Sequence, residues 1–587
     1  MATPRVTALG ARWLFPKIDG DLAAALAREL RVRPLTARVL AARGFTDAGE
    51  ARRFLSPSLD HLHDPLRMAG MAEAVARIRR AIAAGEKILI YGDYDVDGAT
   101  SVVILKKAIE MAGGSADFHV PHRLRDGYGM RAEAIEMAAA RGVSLIISVD
   151  TGIRASEVVR GARERGIDVI VTDHHLPEAE LPPALAVINP NRRDCTYPDK
   201  NLCGAGVTFK LVQALIGTLD WTAARRARVL ESFLKLVSIA TVADVVPLTG
   251  ENRTIVMHGL AGLRSVHNAG LKALLEVAGF RAGAAPTAGQ VAFRVAPRIN
   301  AAGRMASAED VVELFLTSDA ERARTIAAQL QQLNQERQQT EAEIVRAILE
   351  ECERTPVTDA NAVLVFCGRD WHRGVVGIVA SRLVERFCRP AIVLSEDAGG
   401  QAEGSGRSIP AFHLLEALES MPDLFTRFGG HRQAAGLGLA AARVDEFRER
   451  LNAWAASRLT PDDFRPSIEI DAVADAGEIR DEAVTELLAL GPFGFGNPAP
   501  VLAIMGAESA TAPQVFAEKH LRAWLRQDGR MLALKAWQFA ERAEELAAGT
   551  RVDAAVTVEA DDFALGRGLP GWCVALKDVR PTGFPLQ

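Results

Sequence analysis

The stretch from Ile88 to Gly98 reads Ile-Leu-Ile-Tyr-Gly-Asp-Tyr-Asp-Val-Asp-Gly, and it sets three aspartates, Asp93, Asp95 and Asp97, on alternate positions after an apolar run. Carboxylates this close stay ionised together only beside a counter-ion, and a divalent cation is the economical one. Two more apolar runs end in the same way. Leu145 to Val149 runs into Asp150, and Val169 to Thr172 runs into Asp173-His174-His175, while Asp244 follows Ala240-Thr-Val-Ala. A single aspartate at such a place caps a helix or forms a turn just as readily. The joint pattern of five carboxylates (Asp93, Asp95, Asp97, Asp150, Asp244) and two imidazoles points instead to a metal centre.

For these groups to meet, the apolar runs must be parallel strands of one sheet, joined through helices, with every acidic turn on the same edge. Their helix-sized spacing favours that arrangement. The carboxyl ends of strands are where open α/β sheets bind ligands. Adjacent residues on an extended segment point opposite ways, so His174 and His175 would divide their work, one as ligand and one facing substrate, unless the backbone turns there.

The bulk of the chain fits that picture. At 587 residues it is too long for one core, so three or four domains are expected. A composition 49% hydrophobic and 24% charged is that of an ordinary globular protein. The start offers neither a signal peptide nor a span, so a cytoplasmic location and no membrane are expected. Six cysteines form no C-x-x-C pair, against a zinc ribbon or disulfide framework, although Cys195 and Cys203 lie near enough in sequence to admit a metal reading. The net charge of -5 argues against nucleic acid, yet two divalent ions would bring the five acids from -5 to about -1.

Residues 1–70 read as a helical prelude, a packing cap on the first large domain. Residues 71–310 alternate apolar runs with helices. Within them, His119 to Gly129 carries two histidines and two arginines and reads equally as an anion-holding loop or a plain crossover. Arg294, Arg298 and Arg304 are either a solvated face or part of a tight Asn300-Ala-Ala-Gly-Arg304 loop that meets a phosphate. Residues 311–357 centre on one long helix from Ala320 to about Glu353, near 50 Å in length and polar on most of its circumference, a bridge between lobes. In the second α/β lobe, 358–460, Arg369, Arg373, Arg407, Arg427 and Arg432 lie with Ser405 and His431 on loops. Residues 461–587 turn to strands, with Asp528-Gly529 a hairpin signal, which suits a small all-β barrel. There Phe516, His520, Arg522, Trp524 and Arg526 either stack on bases or fill the barrel.

The Asp-x-Asp-x-Asp-Gly turn, Asp150-Thr-Gly, Asp173-His-His and Ala243-Asp244 together resemble the DHH superfamily of phosphoesterases. Gly404-Ser-Gly-Arg-Ser408 and Gly429-Gly-His-Arg-Gln-Ala-Ala-Gly436 resemble the DHH-associated domain. Pro297 to Met305, Trp371 to Gly377 and Pro492-Phe-Gly-Phe-Gly-Asn-Pro498 narrow the resemblance to its RecJ branch. It implies a parallel-sheet DHH domain joined by the long helix to a smaller α/β domain, then an oligonucleotide-binding (OB) fold. One ion would be held by Asp93, Asp95 and Asp150 and a second by Asp97, Asp150, His174 and Asp244; oxygen-rich ligands with one imidazole suit Mn²⁺ or Mg²⁺. Asp150, His174 and His175 would serve catalysis, with His175 at the scissile phosphate.

The resemblance further implies hydrolysis of single-stranded DNA from its 5′ end to 5′-mononucleotides, in recombination and repair. Arg123, Arg304, Arg373, Ser405, Arg407, Gly430 and His431 would bind substrate, several of them around the 5′ phosphate. A monomer is expected, with single-stranded-DNA-binding protein, a RecQ-type helicase and mismatch-repair proteins as partners. Two other readings stand beside this one: a phosphodiesterase for short oligoribonucleotides or cyclic dinucleotides, and a non-catalytic strand-holding accessory. The intact ligand set speaks against the accessory.

Overall fold

The structure is a computed structural model that describes residues 11–583 except 124, 128, 359 and 562–569. The chain forms two compact units, one of residues 56–338 with 492–498 and the other of residues 1–55, 339–491 and 499–587. The first strand, β1 (Arg12–Leu14), belongs to the second unit.

The first unit is built on a five-stranded sheet of β2 (Ile88–Tyr91), β3 (Ala116–His119), β4 (Leu145–Val149), β5 (Asp168–Thr172) and β6 (Ala186–Ile188), in the order β3-β2-β4-β5-β6. Every pairing is parallel. Both β2 and β4 are buried along their whole length, which is why they read as continuous apolar runs rather than alternating ones. The strand order reverses direction between β2 and β4, and the turns leaving them carry Asp93 and Asp150. Asp244 arrives differently from the other acids: it caps the carboxyl end of the helix Ala223–Ala243 rather than ending a strand.

Two sequence expectations fail here for local reasons. Asn300 to Arg304 is not a loop but part of the helix Ala296–Met305, which continues a π-helical turn at Val291–Val295. Arg294 donates to Ala278 O at 3.1 and 2.6 Å, and Arg298 Nη2 donates to Val277 O at 3.3 Å. These two guanidiniums satisfy carbonyls at the end of the helix Ala269–Val277, a structural task. The long helix runs Ala320–Arg354, close to its expected limits.

In the second unit, residues 361–460 hold the sheet β10-β11-β9-β8-β7, formed by β7 (Leu364–Arg369), β8 (Ala391–Glu396), β9 (Gln401–Arg407), β10 (Phe425–Gly430) and β11 (Ala434–Ala440). Arg369, Ser405, Arg407 and Arg427 therefore lie on strands, and Arg373 opens the helix Arg373–Phe387, instead of all standing on loops.

The carboxyl-terminal barrel contains β14 (Val501–Ser509), β16 (His520–Gln527), β17 (Arg530–Ala536), β18 (Arg551–Ala560) and β19 (Trp572–Pro581). It closes where Glu508 and Ser509 of β14 pair with Arg526 and Leu525 of β16. Sequence reasoning overlooked β14, whose alternation is broken by a bulge between Ile504 and Ala507. Asp528-Gly529 forms the expected hairpin, both residues with positive φ. Leu521, Ala523 and Leu525 are buried in the barrel, while Arg522 and Arg526 face solvent and Phe516, His520 and Trp524 are half-buried.

The prelude has the expected helices, Gly20–Leu30, Pro34–Ala42 and Ala48–Leu55. Its packing is divided: residues 56–70 lie with the first unit as expected, Met68 buried in its core, whereas residues 11–55 pack within the second. β1 pairs in parallel with β12 (Ser467–Glu469), Trp13 Nε1 donates to Asp578 at 2.8 Å, and Arg43 binds Asp471 at 2.9 Å. An amphipathic segment packs on whichever apolar face it reaches, and here that face belongs to the barrel and the strands leading into it.

Candidate metal centre

Each acid is placed by a different backbone device. Asp95 caps the helix Val96–Met111, its Oδ1 accepting from the amides of Asp97 (2.9 Å) and Gly98 (3.0 Å). Gly98 is obligatory, because a Cβ there would lie 2.6 Å from the Asp93 backbone. Asp97 turns back onto the amino end of the helix Gly204–Gly217 and accepts from Gly204 N at 2.6 Å and Ala205 N at 2.8 Å. Asp150 sits at φ +59°, a left-handed conformation held by its amide bond to Thr172 O. Its carboxylate fills the space a Cβ on Gly204 would need, 2.5 Å away.

The Asp173-His-His turn is wound around one carboxylate. Asp173 Oδ1 accepts from the amides of His174 (2.8 Å) and His175 (3.1 Å) and from His175 Nδ1 (2.7 Å), and Oδ2 accepts from Ile153 N at 3.0 Å. The backbone therefore turns, and the two imidazole rings lie 4.4 Å apart instead of on opposite faces. Asn189 donates to His175 O at 2.8 Å and Asn191 to His174 O at 2.6 Å. Sequence reasoning missed this pair; the signal was an Asn-Pro-Asn turn directly after β6.

His174 Nε2 stands 3.3 Å from Asp150, 3.6 Å from Asp244 and 3.9 Å from Asp97. Three groups, Asp93/Asp95/Asp150, Asp97/His174/Asp244 and Asp150/His174/His175, each offer ligand atoms within 4.8 Å of one another. Burial pushes the carboxyls of Asp93, Asp150 and Asp244 well above the usual range, neighbouring aspartates adding to the rise, and it also raises Asp97. Burial lowers His174. His175 is raised in spite of burial because Asp173 holds its ring, and Asp173 is lowered by the same bond.

Four buried atoms aimed into this space, Asp93 Oδ1, Asp150 Oδ1, His174 Nε2 and Asp244 Oδ2, have no hydrogen-bond partner. Orphaned buried acceptors are rare, and an oxygen-rich set with one imidazole matches Mn²⁺ or Mg²⁺. The donor set thus fits a pair of divalent cations. The two cysteines with a metal reading, Cys195 and Cys203, are buried free thiols.

The substrate candidates fall in both units. Arg123 stacks 4.8 Å from the centre of the Tyr94 ring and only partly offsets the rise that burial gives the Asp93 carboxyl, and Arg304 also bears on the Tyr94 phenol. In the second unit, Arg373, Ser405 and Arg407 gather at the first turns of the helix Arg373–Phe387. Gly377 lets that helix approach: a Cβ on it would lie 3.2 Å from Arg407 Nη2 and 3.4 Å from Ser405 Oγ. Gly430 and His431 belong to the hairpin next to Arg407, whose strand partner is Ala434. Arg373 is paired with Asp397 (3.0 Å) and Glu403 (2.6 Å), acids that an incoming anion would have to displace.

A parallel sheet whose strand ends converge on such a cage is a DHH phosphoesterase domain, and the DHH family's N-terminal domain matches residues 87–241. The DHHA1 domain matches residues 359–457 and the RecJ OB domain residues 470–568. The chain belongs to the RecJ family. A Bacillus subtilis relative described as single-stranded-DNA-specific exonuclease RecJ is 40% identical over 92% of this chain and 67% of its own length. A Dickeya dadantii relative of the same description is 39% identical over 83% of this chain and 86% of its own. The crystal structure of RecJ in complex with Mn²⁺ from Thermus thermophilus superposes with a TM-score of 0.82 at 30% identity, covering 98% of this chain and 80% of that one.

Proposed function

We propose that the protein is a metal-dependent exonuclease that degrades single-stranded DNA from the 5′ end to 5′-mononucleotides. The observation that carries this reading is the cage of orphaned buried ligand atoms at the carboxyl edge of the parallel sheet. Relatives at 34–40% identity described as single-stranded-DNA-specific exonucleases support it.

Asp93, Asp95 and Asp150 would hold one ion, and Asp97, Asp150, His174 and Asp244 the other, with Asp150 shared. When bound, such a pair supplies activation of water for attack on phosphorus and neutralisation of the charge that builds there. The residues of the chain do the remainder. Asp173 fixes the ring of His175 through Nδ1 and raises its pKa against the effect of burial, which leaves Nε2 as the ring atom that would face the scissile phosphate or the departing oxygen. Arg123 and Arg304, with Arg373, Ser405, Arg407, Gly430 and His431, would bind the strand and its 5′ phosphate by charge-assisted hydrogen bonds. The half-buried aromatics and exposed arginines of the barrel would hold the strand further along without regard to sequence.

In this role the enzyme would work as a cytoplasmic monomer beside single-stranded-DNA-binding protein, a RecQ-type helicase and mismatch-repair proteins. Among the described residues no helix is long and apolar enough to cross a membrane. Incubating 5′- and 3′-labelled single strands with Mn²⁺ tests the proposal. Early release of the 5′ label as a mononucleotide, abolished by chelator, is expected; internal cuts or early loss of the 3′ label would refute it.

A further inference from the structure

The segment Pro492–Pro498 lies in the sequence just ahead of the barrel, yet it packs within the first unit, against the turn that follows Asp244. Leu248 N donates to Phe495 O at 2.7 Å. The segment is a tight turn, with Gly494 N donating to Asn497 O at 2.9 Å and Asn497 N to Gly494 O at 3.1 Å. The glycines on either side of Phe495 are pressed onto their support. A Cβ on Gly494 would lie 2.7 Å from Leu248 Cδ1, and one on Gly496, at φ +71°, would lie 2.7 Å from Pro247 Cβ. The turn thereby carries an aromatic ring at its tip, 59% exposed.

Two more large apolar side chains stand out in solvent directly beside candidate ligands. Leu176 follows His175 and is 61% exposed; Val245 follows Asp244 and is 62% exposed. Their two turns meet where His174 Nε2 lies 3.6 Å from Asp244. Val245 also has φ +59° in the first position past its helix, where glycine is the usual residue. A β-branched residue in that conformation is strained, and such strain persists where the surroundings over-determine it, typically at functional sites.

We infer that Phe495, Val245 and Leu176 form an apolar shelf that receives the base and sugar of the nucleotide at the reacting phosphate. The inference rests on the nuclease reading, and continuity with the cage selects the occupant. A phosphodiester at the cage carries its sugar and base within one nucleotide of it, on the side where Leu176 and Val245 directly follow His175 and Asp244 and where the Phe495 carbonyl is bonded to Leu248, three residues beyond Val245. An aromatic ring with two aliphatic neighbours offers a π-face and apolar contact and no hydrogen-bond code, so it accepts every base alike.

The test compares KM for a normal single strand with KM for one whose 5′-terminal nucleotide is abasic, in the Mn²⁺-loaded full chain. The wild type is expected to bind the abasic strand about tenfold more weakly. In Phe495→Ala and Val245→Gly the normal strand should weaken toward the abasic value, so that the ratio falls toward one, while Phe495→Trp keeps it. Val245→Gly should melt no lower than the wild type, since glycine relieves the positive φ. Wild-type discrimination that survives in both variants, or a wild type with no discrimination, overturns the shelf. Failure of the wild type to cut any single strand with Mn²⁺ would instead overturn the nuclease reading itself.

Discussion

His175 donates its Nδ1 proton to Asp173 across 2.7 Å, and the same carboxylate oxygen accepts the amides of both histidines. One buried acid therefore sets the backbone turn and the orientation of the ring, and it draws the His175 pKa upward. Asp173→Asn should leave the cage ligands in place but lower kcat roughly 10- to 100-fold, as loss of a group that orients a catalytic residue commonly does. Steady-state kinetics with saturating Mn²⁺ checks this; an unchanged kcat would remove His175 from the mechanism.

Asp150 belongs to both proposed ligand sets. Asp150→Ala should abolish turnover with Mn²⁺ present and leave binding of single-stranded DNA intact, measured by a gel shift alongside a nuclease assay. Substantial turnover in that variant would rule out the shared ligand.

Asn189 and Asn191 reach the histidines only through their main-chain carbonyls. Asn191→Ala should weaken Mn²⁺ binding about tenfold, read directly by electron paramagnetic resonance of free Mn²⁺, because the turn that aims His174 loosens. An unaltered titration would show that Asp173 alone holds the turn.

Arg407 stands with Ser405 and Arg373 at the start of the helix Arg373–Phe387. Arg407→Ala should lose the preference for a 5′-phosphorylated strand over a 5′-hydroxyl one. Rates on the two ends measured in competition decide it: a wild-type ratio places the end-reading pocket elsewhere.

Residues 11–55 pack on the barrel and its approach strands. A protein cut after residue 460 should then expose Trp13 and the unpaired strand Arg12–Leu14, and should aggregate, whereas residues 56–460 should stay dispersed. Light scattering of the two truncations compares them; equal behaviour would contradict the packing.

The catalytic half of this fold was legible because its strands are buried on both faces and each ends on an acid, so that run and turn are read together. Asp244 was found as a residue, but its element stayed open in the sequence, since four residues before an acid cannot tell a helix end from a strand end. The helix across Asn300 and Arg304 was mistaken for a loop because Ala-Ala-Gly is neutral in isolation, and its place is set by the approach of Gly303 to Tyr94 O. What failed most plainly was long-range docking. Nothing local in Trp13 or Phe495 says which distant surface will cover or carry it, and a bulged strand such as Val501–Ser509 loses the alternation by which strands are recognised.

The pairing of Arg12–Leu14 with Ser467–Glu469 has a consequence for biosynthesis. The partner of Arg12 is Ser467, 467 - 12 = 455 residues further on. At a ribosomal rate of about 5–20 residues per second, the amino-terminal strand waits roughly 20–90 s before its neighbour emerges. During that interval Trp13 and an open strand edge face solvent on a half-made polypeptide, so this segment is where a nascent-chain chaperone has most to protect, and the arrival of Ser467–Glu469 is what releases it.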